Sequence, residues 1–171
     1  MPIQIKRHLL HWFAGDRRKQ LSDAALQRLT EQVARSEQTH SGEIRICVES
    51  RLPDSYLRRP HAMQRIVRAR AVAQFSKLRV WDTEHNNGVL IYLQLAERSI
   101  EIVADRGIDR LVGAPTWQTL IQALAERLRA GQMEQGLADA VNAVSALLQQ
   151  HFPLQAGEVS SNELPNAPVV D

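Results

Sequence analysis

The stretch Val89-Leu-Ile-Tyr-Leu-Gln-Leu95, followed by Ala96-Glu97-Arg98 and Ser99-Ile-Glu-Ile-Val-Ala104, decides the fold. An apolar run of that length, bounded by turn chemistry at Asp82, Asn86, Asn87 and Gly88, suits a central strand covered on both faces. The short polar reversal then predicts a hairpin, so 99–104 runs antiparallel to 89–95. Upstream, Glu43-Ile-Arg-Ile-Cys-Val-Glu49 alternates strictly, with Ile44, Ile46 and Val48 on one face. It reads as a half-buried strand. Cys47 falls on the other face, where a small buried thiol is expected.

Helices surround these strands. Leu26, Leu29 and Val33 recur at helical spacing and Ser22 stands at an N-cap, which predicts a helix over 22–38. Gly42, free to adopt a positive φ, ends that segment. Pro53 and Pro60 bracket a loop, and apolar positions from Ala62 to Phe75 among arginines predict a second helix over 61–77. After the hairpin, Pro115 and the stripe Trp117, Leu120, Ile121, Leu124, Leu128 mark a third helix, with Gly131 beyond its end. A last helix, about 133–150, places Leu137, Val141, Val144 and Leu148 on one face. The prediction is an α/β fold: a small mixed β-sheet with helices on both faces, a three-layer sandwich. An amphipathic arm over 1–15 precedes it. Residues 154–171 are polar and aperiodic and read as a flexible tail.

This order fixes a geometry. A strand–helix–strand unit linking 43–49 to 89–95 is expected to be a right-handed crossover with parallel strands. The starts of the first two strands and the end of the third then share one edge of the sheet. That edge gathers Glu43, Asp82, Glu84, Asn86, Asn87, Asp105 and Asp109. Five carboxylates and two amides offer oxygen ligands of the kind that Ca²⁺, Mg²⁺ or Mn²⁺ prefer. The other reading is dispersed loop acids that cap helices and pair with Arg79, Arg106 and Arg110. The spacing is not that of an EF-hand.

Composition narrows the function classes. The chain has 171 residues, 44% of them hydrophobic and 23% charged, enough for one ordinary domain with a real core. The lone Cys47 excludes a disulfide framework and a multi-cysteine zinc site. No stretch has the ~18 consecutive apolar residues of a membrane span, and no long apolar run of a secretory signal opens the chain, so a cytoplasmic protein is expected. The pI of 9.0 rests on arginine, while the net charge is only +2, too little for long-range attraction of nucleic acid. Arg58, Arg59, Arg65, Arg68 and Arg70 lack interleaved aromatic residues for base stacking and read as a solvated face. No P-loop, G-x-G-x-x-G or G-x-S-x-G occurs.

The run Arg79-Val-Trp-Asp-Thr-Glu-His-Asn-Asn-Gly-Val-Leu-Ile-Tyr92, with Ile100-Glu-Ile-Val-Ala-Asp-Arg-Gly-Ile108, resembles the TPM domain family. Ser41-Gly42-Glu43-Ile44 is similar to the T-G-x-x-I segment that leads into that family's first strand, and the likeness continues through Gly131 and Gly136 to His151-Phe152-Pro153. The resemblance implies a TPM-like domain over 16–153 with an α/β sandwich fold. It also implies one or more of weak phosphatase activity, divalent-cation binding in an acidic crevice, and a part in membrane-protein assembly or repair. Asn86-Asn87-Gly88 stands where many members have Asp-Asn-Gly, and Asp105-Arg106-Gly107-Ile108 where many have G-x-G-L.

Three functions follow as expectations. The first is a binding or assembly-assisting module whose acidic rim takes Ca²⁺ or Mg²⁺. The second is a weak metal-assisted phosphatase in which Asp82 or Asp105 holds the cation and Arg106 steadies a phosphate. The third is an interaction protein that meets a protein partner, a second copy included, through its N-terminal arm. His40 and His85 near the rim are read as surface histidines with acid–base chemistry as the alternative. His8 and His11 are read as a solvent-facing pair, with a metal pair as the alternative. Arg45 and Glu101 are expected on the more polar sheet face, in a cross-strand or helix-covered ion pair.

Overall fold

The Ser22 hydroxyl oxygen accepts the Ala25 amide at 3.2 Å, satisfying a free donor at a helix N-terminus, and α1 runs Asp23–Ser36. The computed structural model describes residues 21–155, 157–158 and 162–171; the arm 1–15, with His8 and His11, lies outside them. After α1 come β1 (Ile44–Glu49), the one-turn helix α2 (Asp54–Leu57) and α3 (Met63–Lys77). β2 (Val89–Gln94) and β3 (Ser99–Ala104) form the hairpin. Then follow α4 (Arg106–Val112), α5 (Ala114–Arg129), α6 (Met133–His151) and β4 (Val169–Val170).

The sheet order is β3-β2-β1-β4. β1 pairs parallel with β2, Ile44 beside Val89, and β2 pairs antiparallel with β3, Val89 beside Ala104. One face of the sheet, with Ile44, Ile46, Val48, Val89, Ile91 and Leu93, packs with α1, α5 and α6. The other, with Cys47, Leu90, Tyr92 and Val103, packs with Leu57 of α2 and with Ile66, Val67, Ala71 and Phe75 of α3. This is the three-layer α/β sandwich, with the apolar alternation of each strand sorted onto one helical layer or the other.

Four expectations change. β1 is buried along its whole length, not half-buried, because its polar positions Arg45 and Glu49 lie inside the second layer. Within 154–171, Val169 and Val170 pair with Cys47 and Val48 as a fourth strand, and Leu164 is buried in the second core. A two-residue strand carries too few positions for any period to be read. The end of β3 continues into α4 rather than a loop, with Asp105 as its N-cap. Gly42 is not among the positive-φ residues; glycine is needed there because a Cβ would stand 2.4 Å from the Leu148 side chain.

Candidate functional site

Backbone pairing brings the three predicted segments together at one sheet edge. Val89 donates its amide to the Glu43 carbonyl at 2.9 Å, and Asp105 donates to the Gly88 carbonyl at 2.9 Å. The 79–88 loop is stitched onto this edge. Gly107 donates to Asn86 O at 2.8 Å, the Asn87 amide donates to the Thr83 hydroxyl at 3.1 Å, and Asn86 takes the left-handed conformation at φ 52°. Two glycines permit the approach. A Cβ on Gly88 would lie 2.0 Å from Val80 O, and one on Gly107 2.5 Å from the carbonyl oxygens of His85 and Asn86.

The side chains divide by role. Asp105 accepts the Arg106 amide at 2.6 Å while its second oxygen is buried without a hydrogen-bond partner. Asn87 donates its amide to the Ser41 hydroxyl at 3.2 Å, and its own carbonyl oxygen is likewise buried and unpartnered. Glu43 is fully buried; one oxygen accepts the Glu163 amide at 3.0 Å, and its carboxylate accepts a hydrogen bond from the Glu37 carboxyl. Elsewhere on the rim, Asp82 pairs with Arg79. Asp109 accepts the indole N–H of Trp117 at 3.0 Å. Glu84, Asn86, Arg106 and Arg110 are exposed. Among the described residues no group of three or more His, Cys, Asp or Glu side chains is arranged to hold a metal ion.

Beneath the rim is a buried charged layer that the sequence does not announce. Glu37, at the C-cap of α1, accepts the Ile44 amide at 3.0 Å. Burial, and then the nearby Glu43 charge, push its carboxyl up to about 8. Burial raises Glu43 as well. Arg45, 5% exposed, is lowered by burial, and its Nε and Nη1 have no hydrogen-bond partner. So Arg45 is not the cross-strand partner of Glu101, which pairs with Arg68 at 3.2 Å. The spacing of Glu37 and Glu43 follows neither a helix nor a strand period, because a turn separates them.

His40 is another correction: it is fully buried, not at the surface. Its Nδ1 lies 3.0 Å from Gly42 O and its Nε2 3.1 Å from the Ser145 hydroxyl. The ring thereby ties the 39–42 turn to α6, and burial lowers its pKa. His85 is exposed. Arg70 leaves the expected solvated face to pair with Glu49 at 2.5 Å.

The fold has a counterpart among known proteins. Residues 15–147 match the family model described as the TPM domain. The chain belongs to the TPM domain family. This TPM domain is also similar to the BA42 protein of the psychrophilic bacterium Bizionia argentinensis, solved by NMR. The two share 26% sequence identity over 88% of this chain and 95% of BA42, with a TM-score of 0.72. No curated protein matches the chain. Among the described residues, no helix of this TPM domain is long and apolar enough to cross a membrane.

Proposed function

We propose that this TPM domain is a binding or assembly-assisting module whose rim takes a hard divalent cation, Ca²⁺ or Mg²⁺, on Glu43, Asn87 and Asp105. One observation carries the reading: Asn87 and Asp105 each hold a buried oxygen that has no hydrogen-bond partner, at the same sheet edge as the buried Glu43 carboxylate. Leaving a buried acceptor unsatisfied costs about 1–3 kcal/mol, and the three residues stand on three chain segments joined at that edge. Hard cations accept such a mixed carboxylate and amide set and complete their shell with water. The bound charge would favour the ionised form of Glu43, which burial opposes. The cation would order the 79–88 loop against α4 as a surface for a protein partner. A cytoplasmic setting belongs to the same reading, since the single buried Cys47 makes no demand on an oxidising compartment.

The test is thermal melting of the full chain in CaCl₂ and, separately, MgCl₂. A bound ion at 100 times its Kd stabilises by about 2.7 kcal/mol, so the melting temperature is expected to rise in one of the salts at millimolar concentration. Asp105→Asn keeps a helix cap while removing the charge, and is expected to abolish the rise. A wild type that does not respond to either ion removes the proposal. Hydrolysis of p-nitrophenyl phosphate by the same two proteins separates the activities. A rate lost in Asp105→Asn favours the metal-assisted phosphatase, with Arg106 as the phosphate contact. Equal residual rates favour the binding module.

A further inference from the structure

At the edge of the sheet opposite the rim, a cavity of about 710 Å³ lies between the β2–β3 turn and the junction of α5 with α6. Its volume falls within the range of small-molecule sites, about 300–1,000 Å³. Leu95, Ile100, Leu128 and Met133 give it aliphatic walls, with no aromatic ring and no carboxylate among the described residues that line it. Its charged members are two arginines, Arg98 and Arg129.

Some exposed arginines are held by acids and others, including these two, are not. Arg28 pairs with Glu134, Arg68 with Glu101, Arg79 with Asp82 and Arg127 with Asp139. Among the described residues, Arg98 and Arg129 make no ion pair. Arg98 also sits at φ 50°, a conformation that favours Gly or Asn, so backbone preference does not explain an arginine at this turn. Besides Ser99, whose hydroxyl donates to Glu97 O at 3.2 Å, the uncharged polar lining residue is Gln94. It is fully buried, and its side-chain oxygen accepts the amides of Ala96 and Glu97 at 2.9 and 3.4 Å. Its side-chain nitrogen is a buried donor with no partner.

The cavity thus offers donors and positive charge without a matching acceptor, set in an aliphatic lining. A second cavity, of about 590 Å³ along α5 and α6, is different. There the cation is already met, Arg127 lying 3.0 Å from Asp139. We infer that the cavity at the hairpin end binds a medium-chain aliphatic carboxylate, with its chain against Leu95, Ile100, Leu128 and Met133 and its carboxylate on Arg98 and Arg129. Guanidinium groups match a carboxylate with paired hydrogen bonds. The absence of aromatic faces argues for an aliphatic rather than a planar ring body.

The experiment is calorimetric titration of the full chain with sodium decanoate below its micelle concentration, alongside decanol and acetate, with backbone amide NMR of the same samples. Saturable binding of decanoate is expected, with shifts concentrated in 94–100 and 128–133. Decanol and acetate should each bind at least about tenfold more weakly, since one lacks the charge and the other the apolar body. Arg98→Asn, which suits the turn, and Arg129→Gln should each weaken decanoate by about tenfold without changing the melting temperature. No saturation at millimolar decanoate overturns the proposal. So does decanol binding as tightly as decanoate, or shifts that map to any other part of the domain.

Discussion

Tyr92 donates its hydroxyl hydrogen to Glu49 at 2.5 Å across the β1–β2 pair. Arg70 binds the same carboxylate through Nε and Nη2, and the Gln74 amide donates to it as well. Burial alone would raise Glu49, but the Arg70 and Tyr92 hydrogen bonds outweigh it and hold the group below its ordinary value. Glu49→Ala leaves a guanidinium, a phenol and an amide without their acceptor inside the second layer. A loss of about 3–5 kcal/mol is expected from removing one partner of a buried pair. Tyr92→Phe removes one bond to a charged group and is expected to cost about 1.5–3 kcal/mol. Urea midpoints at constant m-value check both.

Glu37 predicts an inverted pH dependence. Its folded carboxyl lies at about 8 against an ordinary value of 4.5, so the folded state binds the proton more tightly than the unfolded chain. Its contribution is therefore full below 4.5 and is lost as pH rises to about 8, at up to about 1.4 kcal/mol per pH unit. Glu43 shifts in the same sense. His40, lowered by burial, has the opposite sign and removes stability as pH falls below its ordinary value. Glu37→Gln keeps an acceptor for the Ile44 amide and does not titrate. The variant is expected to gain on the wild type steadily from about pH 5 to about pH 8 in urea denaturation. A difference that stays constant over that window contradicts the assignment.

How much of this was legible beforehand depended on periodicity. The strands carry a strict alternation or an unbroken apolar run, so their order, the hairpin and the shared sheet edge follow from Ile44, Val89 and Ala104 outward. The layer of Glu37, Glu43 and Arg45 was hidden for a physical reason. Charged residues read as exposed, and these are buried by tertiary packing, with Glu163 of the returning 162–171 segment bonded to Glu43. Asp105 and Asp109 were legible as rim residues but not as a helix cap and an indole acceptor, because α4 is seven residues long and has little periodicity to show. That Arg98 and Arg129 line one cavity is not legible in the sequence, since only tertiary packing brings the hairpin turn to the end of α5.

Two glycines should respond differently to the same substitution. Gly88→Ala places a methyl 2.0 Å from the backbone oxygen of Val80, which cannot move without breaking the loop from the sheet. A cost of about 3 kcal/mol or outright loss of folding is expected. Gly131 has open space around a Cβ but a φ of +73°. There Gly131→Ala should cost only about 1–2 kcal/mol, and Gly131→Asn less. Thermal melts of the three variants decide it.

Cys47 is buried, and burial pushes its thiol up to about 12. The thiolate is the reactive form. Ellman's reagent is therefore expected to leave the native protein unlabelled for hours and to label it at once in urea above the unfolding midpoint. Fast native labelling would show that the second layer opens without global unfolding.

The pairing of Cys47 and Val48 with Val169 and Val170 has a consequence for biogenesis. The outer neighbour of β1 is made only some 120 residues after it, a separation that slows assembly. Throughout that interval a β-prone edge, with Glu43 and Arg45 close by, stays open to water and to other chains. Newly made copies are thus at their stickiest until Val169 and Val170 emerge to cover that edge, and it is there that a chaperone would have the most to do.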